Sequence, residues 1–178
     1  MYPVIRMVKE FWVNRRAPTL TVGEFHVSHH RCWPWDLDLW LELNNGRALT
    51  LYDLGRLVLA KRTGLLSLLK EKGWSMPMAG ASVRYRRRVH VFEGFEMRSR
   101  GLCWDERFFY IEQSMWKKNG ECAGHIIYRS AFVDKVGIIN PERVIEALGV
   151  EIEQPSIPDW ISKWIEAENN RPWPPDKE

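Results

Sequence analysis

The order of strand and helix patterns constrains this chain more than any other feature. One strand pattern at 22–32 precedes a long helical pattern from Asn45 to about Arg62, and four strand patterns follow between 81 and 133. A sheet of antiparallel strands has an apolar face that must be covered. The helix from Asn45 is early and long enough to cover it. We therefore predict an α+β fold in which an antiparallel sheet wraps around one long central helix.

The helical pattern supports this arrangement. Leu51, Leu54 and Val58 share one face at i, i+3 and i+7 spacing. Gly55 lies on the same side and would allow the sheet to approach closely. Gly64 ends the pattern, and a short second helix is predicted at 65–71.

The later strand patterns are predicted at 81–91, 95–104, 107–117 and 122–133. In the first of them, Arg84, Arg86 and Arg88 alternate on the face opposite the apolar residues. The sequence Lys118-Asn119-Gly120 predicts a hairpin with a type I′ turn, because Asn-Gly tolerates positive φ angles.

Two helices are predicted after the strands, between 140 and 168. The first has Asn140 as N-cap and ends at Gly149. The second begins with a capping-box-like pair, Ser156 and Asp159. The prolines near the end predict a flexible tail at 169–178. We expect one domain at 21–139, preceded by an amphipathic segment at 1–20 and followed by helices packed on the domain.

Composition excludes some classes of protein. The net charge of +3 is too small for a strongly cationic chain, and no nucleic-acid-binding module is recognisable. Three cysteines without paired spacing predict a reduced, cytoplasmic compartment rather than a disulfide scaffold. Ten tryptophans predict an aromatic core or an apolar binding cleft.

The first thirteen residues are apolar but include Arg6, Lys9 and Glu10. The segment is too short and too charged to span a bilayer, which needs roughly 20 apolar residues. No small-residue cleavage site of a secretory signal follows it. Two interpretations remain open: a helix packed on the domain or a partner, and a segment resting on a membrane surface.

Acids and amides cluster where the segment before the long helix ends. Asp36 and Asp38 precede Asn44 and Asn45 at the helix start. N–H groups are unpaired there, and the helix dipole favours negative charge. Asp38 could attack a carbonyl or activate water while amide groups hold the oxyanion. A purely structural role is the alternative: Asp36 would shape the loop, and the other residues would cap the helix.

A possible metal site is less well supported. His26, His30 and Cys32 share a strand face, whereas His29 points away. No second cluster completes a set with ligand spacing, so no metal site is predicted.

The motif carries a family resemblance. Its residues are Asp36, Asp38, Asn44, Asn45, Gly46 and Arg47, and the segments 80–85 and 102–107 add to it. With the order of elements, the chain from about 22 to 133 resembles the hotdog fold. Within that fold it resembles the 4-hydroxybenzoyl-CoA thioesterase-like acyl-CoA thioesterases. The most similar branch has the signature Asp-x-Asp-x-x-x-His-Met-Asn-Asn and includes the THEM6-like proteins.

The resemblance implies hydrolysis of a fatty or aromatic acyl thioester by a homodimer or dimer of dimers. Acyl-CoA or an acyl-carrier thioester would bind at the subunit interface. No cofactor is implied, because CoA is part of the substrate. By position, Asp38 would be the nucleophile or general base, and Asn44 and Asn45 would orient the thioester or water. N–H groups near Asn45 and Gly46 would stabilise the oxyanion.

One residue departs from the family pattern, because Glu42 occupies the histidine position. An ionised glutamate cannot donate a hydrogen bond. It could act as a second base or nucleophile. Alternatively, the protein has lost hydrolysis and binds an acyl group or lipid; a dehydratase is a weaker third interpretation.

The expected substrate-binding residues are Gly46, Arg47, Arg84, Arg86 and Arg88. Arginine matches phosphate oxygens well, so the strand arginines could contact the phosphates of CoA. The competing interpretation is a solvated strand face.

Overall fold

The fold is seen in a computed structural model that describes residues 2–177. Its helices are α1 (Val4–Val13), α2 (Asn45–Arg62), α3 (Leu65–Lys72), α4 (Pro141–Leu148) and α5 (Asp159–Asn170). Its strands are β1 (His26–Arg31), β2 (Met78–Tyr85), β3 (Gly94–Trp104), β4 (Phe108–Lys117), β5 (Cys122–Val133) and β6 (Ile138–Ile139). A single 3-10 turn, Pro34–Asp36, precedes α2.

The strands form one antiparallel sheet in the order β1-β3-β4-β5-β2, with β6 paired to β5. Strand β2, the first after α2 in the chain, therefore lies at one edge of the sheet, and β1 lies at the other. This arrangement confirms the predicted α+β architecture with a central helix.

Helix α2 has the predicted bounds and forms the centre of the core. Leu51, Leu54 and Val58 are fully buried. A Cβ atom added at Gly55 would lie 2.5 Å from the Ser99 Oγ and 2.8 Å from the Met97 Sδ, both on β3. The absence of a side chain at Gly55 therefore sets how closely helix and sheet approach.

Two strand predictions need correction. Strand β1 begins at His26 rather than at 22. Strand β2 ends at Tyr85 because the chain then turns, and the N–H groups of Arg86 and Arg87 both donate to the Ala123 carbonyl. The prediction that Arg86 and Arg88 continue a strand face with Arg84 is therefore wrong.

The hairpin between β4 and β5 is where the sequence predicts it, but its turn type differs. Gly120 has a φ of +85°, whereas Asn119 does not have a positive φ. The Gly120 N–H donates to the Lys117 carbonyl at 3.0 Å, and the Lys117 N–H donates to the Glu121 carbonyl at 2.9 Å. This is a three-residue loop with glycine in the left-handed position, not a type I′ turn.

The C-terminal helices cover the domain. Asn140 caps α4 by accepting the Glu142 N–H, and Gly149 ends it with a φ of +68°. Helix α5 has Pro158 at its cap position, so the predicted capping role of Ser156 is wrong. Ile161 of α5 is fully buried in a cluster with Cys103, Tyr110 and Ile127. Because neighbouring residues of β5 alternate between faces, α5 covers the face of the sheet away from α2.

Candidate functional site

A tight turn joins the 3-10 turn to α2 and carries the candidate site. The Asp38 N–H donates to the Glu42 carbonyl at 2.8 Å, and the Leu41 N–H donates to the Asp38 carbonyl at 3.2 Å. Leu41 adopts a φ of +60°, which is uncommon for a residue with a side chain. The apolar tip, Leu39 to Leu41, is exposed.

The Asp38 carboxylate is held by this turn rather than by the helix. Its Oδ1 accepts the N–H of Trp40 at 2.9 Å and the N–H of Glu42 at 3.3 Å. Within residues 2–177, its Oδ2 has no hydrogen-bond partner, and the side chain is partly exposed. One oxygen is thus fixed in orientation while the other remains available.

The two asparagines at the helix start have different roles. Asn44 is the N-cap of α2, and its Oδ1 accepts the Arg47 N–H at 2.9 Å. Asn45 begins the helix, and its carbonyl accepts the Tyr85 hydroxyl at 3.0 Å. The N–H groups of Asn45 and Gly46 have no carbonyl one turn earlier in the helix, and both residues are exposed. Backbone donors are therefore available where the sequence predicts them.

Asp36 holds the loop against the rest of the domain. Its carboxylate is fully buried; Oδ2 accepts from Arg6 Nη2 at 2.6 Å and from the Trp33 N–H at 2.9 Å, and Oδ1 accepts from Arg47 Nε at 2.7 Å. This agrees with the structural alternative for Asp36. Arg47 is engaged in the same ion pair, so its expected role in binding substrate stays a prediction.

Glu42 faces a small cavity of about 210 Å³. Its Oε1 lies 3.1 Å from Arg88 Nη1, and the cavity is also lined by Asn45, Tyr85 and Arg86. Nothing in the sequence signals that Tyr85 reaches the helix start, because that contact joins residues 40 positions apart.

A much larger groove of about 1930 Å³ lies on the other side of the helix start. Gly46 and Arg47 are on its wall beside the Asp36 loop. Its apolar lining includes Ile5, Trp33, Trp35, Leu37, Phe95 and Trp116. Asp38 lines neither cavity. Leu37, just before it, lines the large groove, and Glu42, at the end of the same turn, lines the small cavity. The turn that carries Asp38 therefore lies between the two cavities.

Four arginines at the end of β2 and directly after it are exposed: Arg84, Arg86, Arg87 and Arg88. Arg87 pairs with Glu121 at 2.8 Å, and Arg88 pairs with Glu42. Among the described residues, Arg84 and Arg86 make no ion pair, so they are the members available to an anionic ligand.

The buried histidines and cysteines do not assemble into a site. Burial and the nearby Arg62 guanidinium lower the pKa of His26 to about 4. Burial raises the pKa of the Cys32 thiol to about 11, which leaves it unreactive. Across residues 2–177, no group of three histidine, cysteine or acidic side chains could hold a metal ion.

Comparison with known proteins places this geometry in a family. The family model described as the thioesterase-like superfamily matches residues 32–165, which include the Asp38 turn, α2 and strands β2 to β6. The chain belongs to this superfamily.

Relatives within the superfamily carry the name Protein THEM6. The Xenopus laevis protein is 34% identical over 133 residues, which cover 74% of this chain and 63% of that protein. The Danio rerio protein is 28% identical over 170 residues, covering 92% of this chain and 82% of that protein. The match to the Xenopus protein thus spans less than two thirds of its length.

Solved structures share the fold. A probable thioesterase, YbaW from Escherichia coli, has a TM-score of 0.65 at 14% identity, covering 68% of this chain and 95% of that one. The DHNA-CoA thioesterase from Staphylococcus aureus has a TM-score of 0.60 at 14% identity, covering 82% and 91%. These similarities confirm the predicted hotdog fold of the thioesterases.

Proposed function

We propose that this protein hydrolyses acyl thioesters and that Asp38 supplies the nucleophile or general base. The observation that carries the proposal is the state of its carboxylate. Two backbone N–H groups fix Oδ1, Oδ2 has no partner within residues 2–177, and the group lies close before the start of the 18-residue helix α2. Preorganised charge beside free helix donors is an arrangement that supports acyl transfer.

Two routes use this carboxylate. In the first, Oδ2 attacks the thioester carbonyl carbon, the C–S bond breaks, and the thiolate leaves with a proton from water; water then hydrolyses the mixed anhydride. In the second, Asp38 accepts a proton from a water molecule that attacks the same carbon. In both, the oxyanion would be held by the N–H groups of Asn45 and Gly46.

The surroundings supply the substrate class. The apolar walls of the large groove fit a fatty or aromatic acyl group, and its volume of about 1930 Å³ exceeds the typical pocket of a small ligand. Arg84 and Arg86, exposed and without ion pairs in the described part of the chain, suit the phosphates of CoA or of a carrier-linked pantetheine.

The active assembly is proposed to be a homodimer joined along β2. This strand lies at the edge of the sheet, so one side of its backbone is unpaired. Ala81 and Tyr85 are exposed, although Tyr128, the β5 partner of Ala81, is buried in the core cluster that contains α2. A second copy added here would cover these side chains and close the small cavity beside Glu42.

The test is steady-state hydrolysis of a panel of acyl-CoAs by the native protein and by Asp38→Asn. We expect kcat/KM to fall at least about a hundredfold in the variant. The matched control is Asp134→Asn, because the Asp134 Oδ1 also accepts two backbone N–H groups in an exposed turn. Equal rates for native protein and Asp38→Asn would remove Asp38 from the reaction.

The Glu42–Arg88 pair favours a second candidate, a hotdog protein that binds an acyl group without cleaving it. Glu42 stands at the position of the family histidine, and its carboxylate is paired with the Arg88 guanidinium. Native mass spectrometry of freshly purified protein separates the candidates. An acyl-CoA that remains intact on the protein during incubation supports binding alone, whereas release of free acid and CoA supports hydrolysis.

A further inference from the structure

Helix α1 is attached to the domain by a face that combines two charged and two apolar residues. Arg6 and Glu10 face the domain: Arg6 pairs with the buried Asp36, and Glu10 is buried with its Oε1 3.8 Å from the His30 Nδ1. Met7 and Phe11 pack on the core beside them. The charged residues of an amphipathic helix normally face water. Here two of them are used to attach the helix.

The opposite side of α1 is an apolar stripe in water, formed by Val4, Ile5, Val8 and Trp12. Ile5 is 88% exposed, and Val8 and Trp12 are each 63% exposed. The positions follow the 3.6-residue period, so the side chains form one continuous surface. Single exposed apolar residues are ordinary, but a contiguous stripe on a helix that turns Arg6 and Glu10 inward indicates a contact surface.

The charges around the stripe indicate its occupant. The exposed charged side chains from residue 2 to 16 are Lys9, Arg15 and Arg16, all cationic. Arg15 lies over the Trp12 ring at 4.3 Å from its centroid, so a cation and an interfacial aromatic residue are adjacent. Tryptophan and basic residues flanking an apolar helix face suit the surface of an anionic bilayer.

A second copy of the chain fits this surface less well. A two-fold contact would place the stripe against itself. A two-fold axis along the helix direction would bring Lys9, Arg15 and Arg16 of both copies together, and like charges at an interface oppose association. No helix in residues 2–177 is long and apolar enough to cross a bilayer.

We propose that the Val4–Val8–Trp12 face of α1 lies in the headgroup region of an anionic lipid membrane. The helix would rest parallel to the surface with its apolar face inserted, and the inward ion pairs would hold the domain against it. Val4 and Ile5 also line the large groove, so the groove would open beside the lipid. This proposal does not depend on hydrolysis at Asp38.

Vesicle co-sedimentation tests the proposal with the full chain. Vesicles of phosphatidylcholine with about 30% phosphatidylserine provide the anionic surface, and pure phosphatidylcholine is the neutral comparison. We expect the native protein to partition onto the anionic vesicles. Ile5→Asp with Val8→Asp should abolish that partition, and Arg15→Gln with Arg16→Gln should weaken it roughly fivefold for each charge removed.

The matched control is Val136→Asp, an equally drastic change at a residue that is 96% exposed in the loop before β6. It should bind vesicles like the native protein. Thermal unfolding of each variant verifies that it is folded. Equal partition of the native protein and the folded Ile5/Val8 variant would overturn the proposal. A second result would also overturn it: the native protein does not bind vesicles, and the Ile5/Val8 variant has half the native mass in solution. The stripe would then join two copies of the chain.

Discussion

The Oε1 of Glu42 lies 3.1 Å from the Nη1 of Arg88, so the residue at the family histidine position is held in an ion pair. A carboxylate in this state can orient a neighbouring group but cannot donate a hydrogen bond to a substrate carbonyl. The pair therefore bears directly on the proposed hydrolysis at this site.

Replacing Glu42 with histidine is expected to raise hydrolysis. The imidazole would restore a donor beside the helix start, and we expect kcat/KM for acyl-CoA to rise at least about tenfold. The measurement is steady-state turnover of the acyl-CoA that the native protein cleaves fastest. Glu121→His is the control, because Glu121 forms the neighbouring exposed pair with Arg87. No gain from Glu42→His would show that the pair does not limit the rate.

Replacing Arg6 with alanine is expected to destabilise the fold. Asp36 would remain buried with Arg47 and one N–H as partners, and a buried charge that loses part of its compensation costs about 2 to 3 kcal/mol. Urea denaturation gives the free energy of unfolding. Arg15→Ala removes an exposed cation from the same region and should change it little. Similar stabilities for the two variants would contradict the role given to the Arg6–Asp36 pair.

Gly55→Ala is expected to lower stability even though alanine favours helices by about 1 kcal/mol. The new Cβ would lie within 3 Å of side-chain atoms of Ser99 and Met97, so the helix or the sheet must shift. We expect a net loss of about 1 to 3 kcal/mol by chemical denaturation. Ser67→Ala in α3 is an exposed helical control that should be neutral or slightly stabilising. A stabilised Gly55→Ala variant would show that the core adapts easily.

Stability is expected to fall as the pH decreases from about 6.5 toward 4. Burial and Arg62 hold the pKa of His26 at about 4 in the folded protein, below its ordinary value of 6.5. Within this window the unfolded chain binds a proton that the folded chain does not, which favours unfolding by up to about 1.4 kcal/mol per pH unit. Above pH 6.5 the histidine is neutral in both states and contributes no slope.

Urea denaturation at several pH values between 7.5 and 4.5 measures this effect. Burial, together with the charges of Lys9 and Arg6, also lowers the pKa of His30 to about 3, so His30 adds a similar slope over the same window. His26→Gln should therefore reduce the dependence without abolishing it, whereas His29→Gln, at an exposed position, should leave it unchanged. The same slope in the native protein and in His26→Gln would assign the acid sensitivity to other groups.

A positive charge on β2 is expected to disrupt the proposed dimer. The native protein should show twice the 21.1 kDa chain mass by light scattering. Ala81→Lys places a charge at the edge strand, and we expect it to shift the protein to the single-chain mass. Val136→Lys, in an exposed loop, should leave the mass unchanged. A native protein of single-chain mass would contradict the assembly on β2.

Local signals account for what the sequence predicts well. The bounds of α2 and α4 follow from residues next to them, such as Asn140 and Gly149, and the closeness of helix and sheet follows from Gly55. Prediction fails where a contact between distant parts of the chain competes with a local pattern: Arg86 and Arg87 leave the strand because their N–H groups donate to the Ala123 carbonyl.

Other features of the site depend on contacts far apart in the chain. Arg6 and Asp36 are separated by 30 positions, and Tyr85 and Asn45 by 40, so no periodicity or motif marks them. The pattern of α1 predicts two faces but does not say which face meets the domain. Only the position of Asp36, known from the fold, shows that Arg6 turns toward the domain.

The conformation of Leu41 has a consequence for Asp38. A residue with a side chain at a φ of +60° bears about 1 to 2 kcal/mol of strain that glycine would avoid, and Leu41 is 68% exposed, so burial within the chain contributes little to offset it. The bend is instead sustained by its own network of main-chain and carboxylate bonds. We therefore expect the Asp38 carboxylate to be oriented by bonds within the turn before any ligand binds.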